Sequence, residues 1–131
     1  MKERATVVCW QRGRVLLVER GRARWALPGG TIRRGEAAAD AARRELSEET
    51  TLEGCELGYL FQFGGLNKRH HVFLSLLPDE ARPVPGNEIL RCRWFRRGLL
   101  HSSLCWLFLR STGVVPGASR TLHSVTLRCG P

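Results

Sequence analysis

The spacing of apolar and polar positions changes several times along this chain, and each change marks an element. Ala5–Trp10 and Val15–Glu19 are short β-rich runs separated by the turn-like Gln11-Arg12-Gly13-Arg14, which predicts a hairpin near the N-terminus. Arg22 to Leu27 then meets Pro28-Gly29-Gly30, which cannot continue a regular strand and must turn. From Glu36 the pattern becomes alanine-rich and helical, with Gly35 just ahead and Glu36 and Asp40 at the end where negative charge is favoured; a helix over 36–50 is predicted. Strands are predicted at Cys55–Phe63 and His70–Leu77, the second apolar enough to be buried on both faces. Pro78–Asn87 is rich in proline and reads as a loop, and Ile89–Phe95 is another strand. Leu100, Leu104, Leu107 and Phe108 fall at helical spacing within Leu99–Arg110, while residues 111–131 carry only weak alternation around Leu122, Val125 and Leu127. Strands on either side of two helices point to an α/β or α+β sandwich.

At 131 residues, 43% of them hydrophobic, the chain suffices for one domain with a single core. Its formal charge of +9 comes almost wholly from arginine, Lys2 and Lys68 being the lysines, which suits polyanionic partners such as nucleotides, pyrophosphates or RNA. No acidic residue follows Glu88, so acids and the basic excess occupy different parts of the chain. Five widely spaced cysteines without a CxxC pair read as reduced thiols. The N-terminal apolar stretch is too short for a secretory signal, and 98–109 falls short of the about 20 residues a membrane span needs. The expected setting is cytoplasmic.

Glu45, Glu48 and Glu49 crowd one face of the predicted helix, an arc of roughly 100°, at spacings where like charges repel. They also stand near the negative end of the helix dipole. Three acids placed against both rules invite a bound cation. Magnesium takes oxygen ligands, keeps several waters and uses one or two carboxylates beside phosphate oxygens. Glu45 and Glu49, one turn apart, can reach one ion, with Glu48 beside them for a second ion or a water. Gly30, lacking a side chain, can bring its carbonyl close. Arg44 lies within the helix beside these acids, so orienting the carboxylates is its expected task. For an isolated Glu-Glu pair, ordinary solvated helix charges with Arg43 and Arg44 as partners would be the better explanation.

The spacing goes further than a pair. Gly30, Glu36, Arg44-Glu45-Leu46 and Glu48-Glu49 stand as in G-x5-E-x7-R-E-U-x-E-E-x-G-U, with U aliphatic, and the segment resembles the signature of the Nudix (MutT-like) hydrolases. Trp25-Ala26-Leu27-Pro28-Gly29-Gly30 is similar to the family's usual approach to this box. Leu52 fills the last aliphatic position, but Thr51 stands where the family has glycine. A β-branched residue with positive φ is strained, so Gly54 is the candidate to terminate the helix instead, with shifted loop geometry and weaker activity as the expected consequence.

The resemblance implies an α/β/α sandwich with a mixed β-sheet between helices, a domain over 1–110 with the tail 111–131 packed on it, and Mg2+ as cofactor, with Mn2+ as the alternative. It implies hydrolysis of a pyrophosphate bond in a nucleoside diphosphate linked to another moiety. Glu45, Glu48, Glu49 and the Gly30 carbonyl would hold metal, with Glu48 and Glu49 polarising the attacking water. Glu88, ahead of the last strand, resembles the extra acid that serves some members as general base. Arg33 and Arg34, opening the helix, are placed to meet phosphates, and Phe61 and Phe63 could stack on a base, although phenylalanine in strands commonly fills a core. Trp10 and Trp25 raise the same two readings. His70 and His71 face opposite ways on a strand and form no joint metal site. The partner is then a nucleotide or other pyrophosphate-bearing small molecule, met by a monomer or a homodimer, with nucleic acid less favoured and no membrane. Two other classes are a Nudix-fold nucleotide- or RNA-binding protein that has lost catalysis, and a basic nucleic-acid-binding module, which lacks any aromatic RNA-binding signature.

Overall fold

The computed structural model describes residues 2–64 and 67–96. In chain order the elements are β1 (Lys2–Gln11), β2 (Arg14–Glu19), β3 (Trp25–Ala26), β4 (Gly29–Thr31), α1 (Ala38–Thr50), β5 (Gly58–Gly64), β6 (Lys68–Leu76) and β7 (Arg91–Arg96). They build one sheet in the order β3-β2-β1-β6-β5, with β4 on β1 and β7 on β2. The sheet is mixed, because β1 runs parallel to β6 while the other pairs are antiparallel. Parallel neighbours need a crossover, and α1 lies on the path that supplies it. Arg12 and Gly13 both have positive φ (50° and 74°), as a two-residue type I′ hairpin requires, so the β1–β2 turn is the one expected.

Alternation of side chains across the sheet divides the core in two. Ala5, Val7, Cys9 and Leu16 meet Ala41, Ala42 and Leu46 of α1, together with Phe73 and Leu77. The alanines matter here, since small side chains let the helix backbone settle close to the strands. On the other face Val8, Val15, Leu17 and Val72 gather Trp10, Trp25, Leu27, Phe61 and Phe95 around them.

Several boundaries differ from expectation. The helix begins at Ala38, not Glu36, because the Glu36 carboxylate leaves the helix line to accept the Arg33 N–H at 3.0 Å and to pair with Arg44. β5 begins at Gly58, later than Cys55. β6 is buried on both faces only at its centre, where Val72 and Phe73 point opposite ways; Leu76 is half exposed. Pro28 does interrupt a strand, yet the glycines after it pair with β1 as β4, Gly29 opposite Thr6 and Gly30 opposite Ala5. The expected helix over Leu99–Arg110 and the tail lie outside the described residues, so the layer that would complete an α/β/α sandwich is not among them. Among the described residues no helix is long and apolar enough to cross a membrane.

Candidate active site

Two segments meet at the C-terminal half of α1. One is the β3–β4 corner ending in Gly29-Gly30. The other is the loop before β7, which docks on the helix end: the Val84 N–H donates to the Thr50 carbonyl at 2.8 Å and the Gly86 N–H to the Glu49 carbonyl at 3.1 Å. Helix ends leave such carbonyls without partners, so the loop seals this end. Gly86 has to be glycine for steric reasons, because a Cβ there would overlap the Glu48 carbonyl oxygen. The docking carries Asn87 and Glu88 to the rim. Between these segments lies a cleft of about 410 Å³, lined by Gly29, Gly30 and Thr31, by Glu45, Glu48 and Glu49, by Arg4, Arg20, Arg33 and Arg44, and by Asn87 and Glu88.

Arginines hold the acids in place. Arg44 donates from Nε and Nη2 to Glu36 at 2.9 and 3.0 Å, from Nη1 to Glu45 at 2.8 Å and to Glu48 at 3.4 Å, and from Nη2 to the Thr31 carbonyl at 3.1 Å. The planar guanidinium thus ties the helix to both its own N-terminal approach and β4. Glu36 is held down to about 2 by that arginine and the Arg33 N–H, so it is a fixed anion rather than a proton carrier. Arg20, following β2, donates to Glu49 at 2.7 Å and to the Gly29 carbonyl at 2.8 Å, and its other nitrogen stands 3.9 Å from Glu88.

Glu49 is the unusual member. Only 2% of it is exposed, and burial lifts its carboxyl to about 7, opposed by Arg20 and the Gly29 N–H and reinforced by the Glu45 charge. Glu45 lies across Gly30: a Cβ on that glycine would overlap its carboxylate. The missing side chain at Gly30 is therefore what leaves room for a carboxylate beside the corner. Oxygen donors of this kind, three carboxylates and neighbouring carbonyls, suit a hard divalent cation. Among the described residues no three acid, histidine or cysteine side chains are grouped so that they could hold a metal ion by themselves.

Of the residues picked out from sequence, Gly30, Arg33, Arg44, Glu45, Glu48, Glu49 and Glu88 come together here. Arg33 is two-thirds exposed and approaches Glu48 at 4.0 Å. Arg34 is exposed and does not line the cleft. Phe61 packs into the second core cluster, outside the cleft wall; Phe63 pairs with His70 in the sheet, its side chain outside what is described. Trp25 is covered by Arg91 and Arg93, 5.2 and 6.0 Å from its ring centre, and meets Phe95 edge-on.

Sequence reading missed Arg20 and Arg4. Arg20 directly follows a buried strand and reads as that strand's solvated end. The period-2 pattern did carry a signal: Arg20 falls in step with Leu16 and Val18, the side facing α1.

Thr51 itself closes the helix, with φ 60° and ψ 8°, its N–H on the Ser47 carbonyl at 2.9 Å and its hydroxyl donating to the Thr50 carbonyl at 2.6 Å. Gly54 does not take over; its own positive φ of 68° makes a later bend. Threonine thus holds, at the helix end that the loop seals, the left-handed conformation that glycine adopts without strain.

The family model for the NUDIX domain matches residues 1–106. Among solved structures, the chain is similar to a nudix hydrolase family member from Chromobacterium violaceum, with 27% identity and a TM-score of 0.67 over 98% of this chain and 92% of that one. It shares its fold with a MutT NUDIX hydrolase from Burkholderia pseudomallei (21% identity, TM-score 0.71, covering 86% and 95%). It shares it also with the dihydroneopterin triphosphate pyrophosphohydrolase of E. coli (21% identity, TM-score 0.63, covering 86% and 96%). No curated protein matches the sequence.

Proposed function

Because the chain belongs to the Nudix family, whose members hydrolyse pyrophosphate bonds with divalent metals, we propose that this cleft carries out magnesium-dependent hydrolysis of a nucleoside diphosphate linked to another moiety, such as a nucleoside triphosphate or a nucleotide sugar. The observation that carries the reading is Glu45 seated across Gly30, with Glu48 and Glu49 on the same helix face and every carboxylate tied to an arginine.

Glu45, Glu48, Glu49 and the Gly30 carbonyl would hold the ion, which supplies charge neutralisation on the phosphates and a more acidic attacking water. The chain's own groups do the rest. Arg44 keeps Glu45 and Glu48 from turning away, and Arg20 does the same for Glu49, so the donors are oriented before substrate arrives. Arg33, exposed at the rim, is free to swing from Glu48 to a phosphate oxygen. In the reaction the water oxygen bonds to phosphorus, the anhydride P–O bond breaks, and the bridging oxygen leaves with the electron pair on the departing phosphate. The water's proton goes to a carboxylate. Glu88 is our choice for that acceptor: it stands 74% exposed at the rim on a loop fixed to the helix end, 3.9 Å from an Arg20 nitrogen, its one ion pair among the described residues.

The test is product release from a panel of normal and oxidised nucleoside triphosphates, ADP-ribose, dinucleoside polyphosphates and capped RNA, with Glu48→Gln as the control. Turnover of at least one member, lost in Glu48→Gln, supports the reading. Binding without turnover across the whole panel would instead mark a catalytically silent member of the family.

A further inference from the structure

Arg4 stands apart from the other arginines of the cleft. Arg44 and Arg20 are engaged with carboxylates, and Arg33 reaches into solvent. Arg4 is half-buried and lines the cleft, yet among the described residues its guanidinium makes no hydrogen bond and no ion pair. Its backbone is fixed from both sides, opposite Thr31 of β4 and opposite His70 of β6, and the neighbouring Glu3 carbonyl accepts the Ile32 N–H at 2.8 Å. Burial and the nearby Arg20 charge disfavour its charged form, only partly offset by Glu45 and Glu49. An arginine nonetheless stays protonated at neutral pH, so a partly desolvated fork of donors lines the cleft with Glu45 and Glu49 near it but, among the described residues, no carboxylate in hydrogen-bond contact.

The register indicates what lies beyond it. Directly opposed residues share a sheet face. Arg4 pairs with His70, Thr6 with Val72, and Val72 with Phe61, so one face runs from Arg4 at the cleft to the apolar Val72 and Phe61. Charge stands at one end of this row; at the other, Val72 is buried in the second core cluster and Phe61, packed on it, is the partly exposed apolar side chain.

We propose that Arg4 is a substrate-binding residue that takes a non-bridging oxygen of the phosphate nearest the organic moiety, which orients the substrate with its pyrophosphate over the glutamates and its organic group along the β1–β6 face. The assignment rests on the pyrophosphate-hydrolase reading above and adds the direction in which the substrate lies. A charge-assisted fork contact of this kind changes affinity by roughly tenfold or more.

Arg4→Met and Arg4→Lys are compared with the wild-type chain in steady-state kinetics on the nucleotide that the panel shows to be turned over fastest. Calorimetry with AMP, GMP and inorganic pyrophosphate, each with magnesium, accompanies the kinetics. The expected result is a KM raised about tenfold or more in Arg4→Met, partly restored in Arg4→Lys, with nucleoside monophosphate affinity falling in parallel and pyrophosphate affinity changing less than about threefold. Unchanged KM and monophosphate affinity in a variant that melts like wild type overturns the proposal, as does pyrophosphate weakened as much as the monophosphates. Should the wild-type chain turn over nothing, the functional reading fails by itself. Arg4 is then judged by the monophosphate titrations alone: loss on Arg4→Met upholds it, and no loss or no binding to wild type rejects it.

Discussion

Glu19 and Glu49 are both buried, at 5% and 2% exposed, and each has an arginine nitrogen 2.7 Å from its carboxylate. Their chemistry diverges all the same. Glu19 takes Arg91 with support from the backbone at Ala23, and its carboxyl is held below the ordinary value. Glu49 shares its arginine with the Gly29 carbonyl and Glu88, lies near a second carboxylate, and is pushed up to about 7 by burial. The first pair is satisfied and needs nothing further. The second is under-neutralised and faces a cleft, which is how a fold keeps a place for a cation.

The comparison can be broken most sharply by neutralising each acid. Glu49→Gln removes a proposed metal ligand and should lower kcat/KM on the order of 10²- to 10³-fold. Glu19→Gln should leave kcat/KM within about twofold and lower the thermal midpoint by no more than about a few degrees. Equal losses from the two would erase the distinction.

Gly30→Ala tests the space rather than the charge. The added Cβ has to displace the Glu45 carboxylate, and misplacing a ligand of this kind costs roughly 10- to 100-fold in metal affinity or activity, read by kinetics across a magnesium titration.

Protonation separates the two acids by sign. In Glu49 the folded chain binds the proton more tightly than the unfolded chain, so without metal, stability falls as pH rises from the ordinary value of 4.5 through about 7. Glu19 acts oppositely: its contribution is present at neutral pH and disappears in acid as the carboxylate takes up a proton. A divalent cation competes with the Glu49 proton, so metal binding should strengthen through pH 7 and added magnesium should flatten the fall in thermal midpoint.

The smallest effect concerns the helix end beneath Glu49. Thr51→Gly relieves a left-handed β-branched residue, loses one hydroxyl contact and loosens the unfolded chain; the net gain should be about 0.5–1 kcal/mol in denaturant unfolding.

Much of this was legible in the chain because Gly30, Arg44 and the three glutamates belong to one continuous segment, and helical spacing alone gathers the acids on one face. Strand period also placed β1, β2, β6 and β7 to within a few residues. What escaped was long-range. Arg20 meets Glu49 across 29 positions, a separation that no local pattern encodes. β3 and β4 are two and three residues long, too short to show alternation, and exist because β2 and β1 offer them partners. Thr51 displayed the need for a left-handed residue, but Gly54 was expected to supply it, whereas Thr51 does so at the helix end and Gly54 makes a later bend.

The most direct measurement is magnesium dependence of nucleotide hydrolysis by the wild-type chain and by Glu45→Gln, Glu48→Gln and Glu49→Gln. The account predicts turnover that rises with magnesium, ceases with a chelator, and drops at least about 100-fold in each variant while the melting curves stay two-state. Turnover that persists in chelator, or that survives in Glu49→Gln at the wild-type rate, would contradict it.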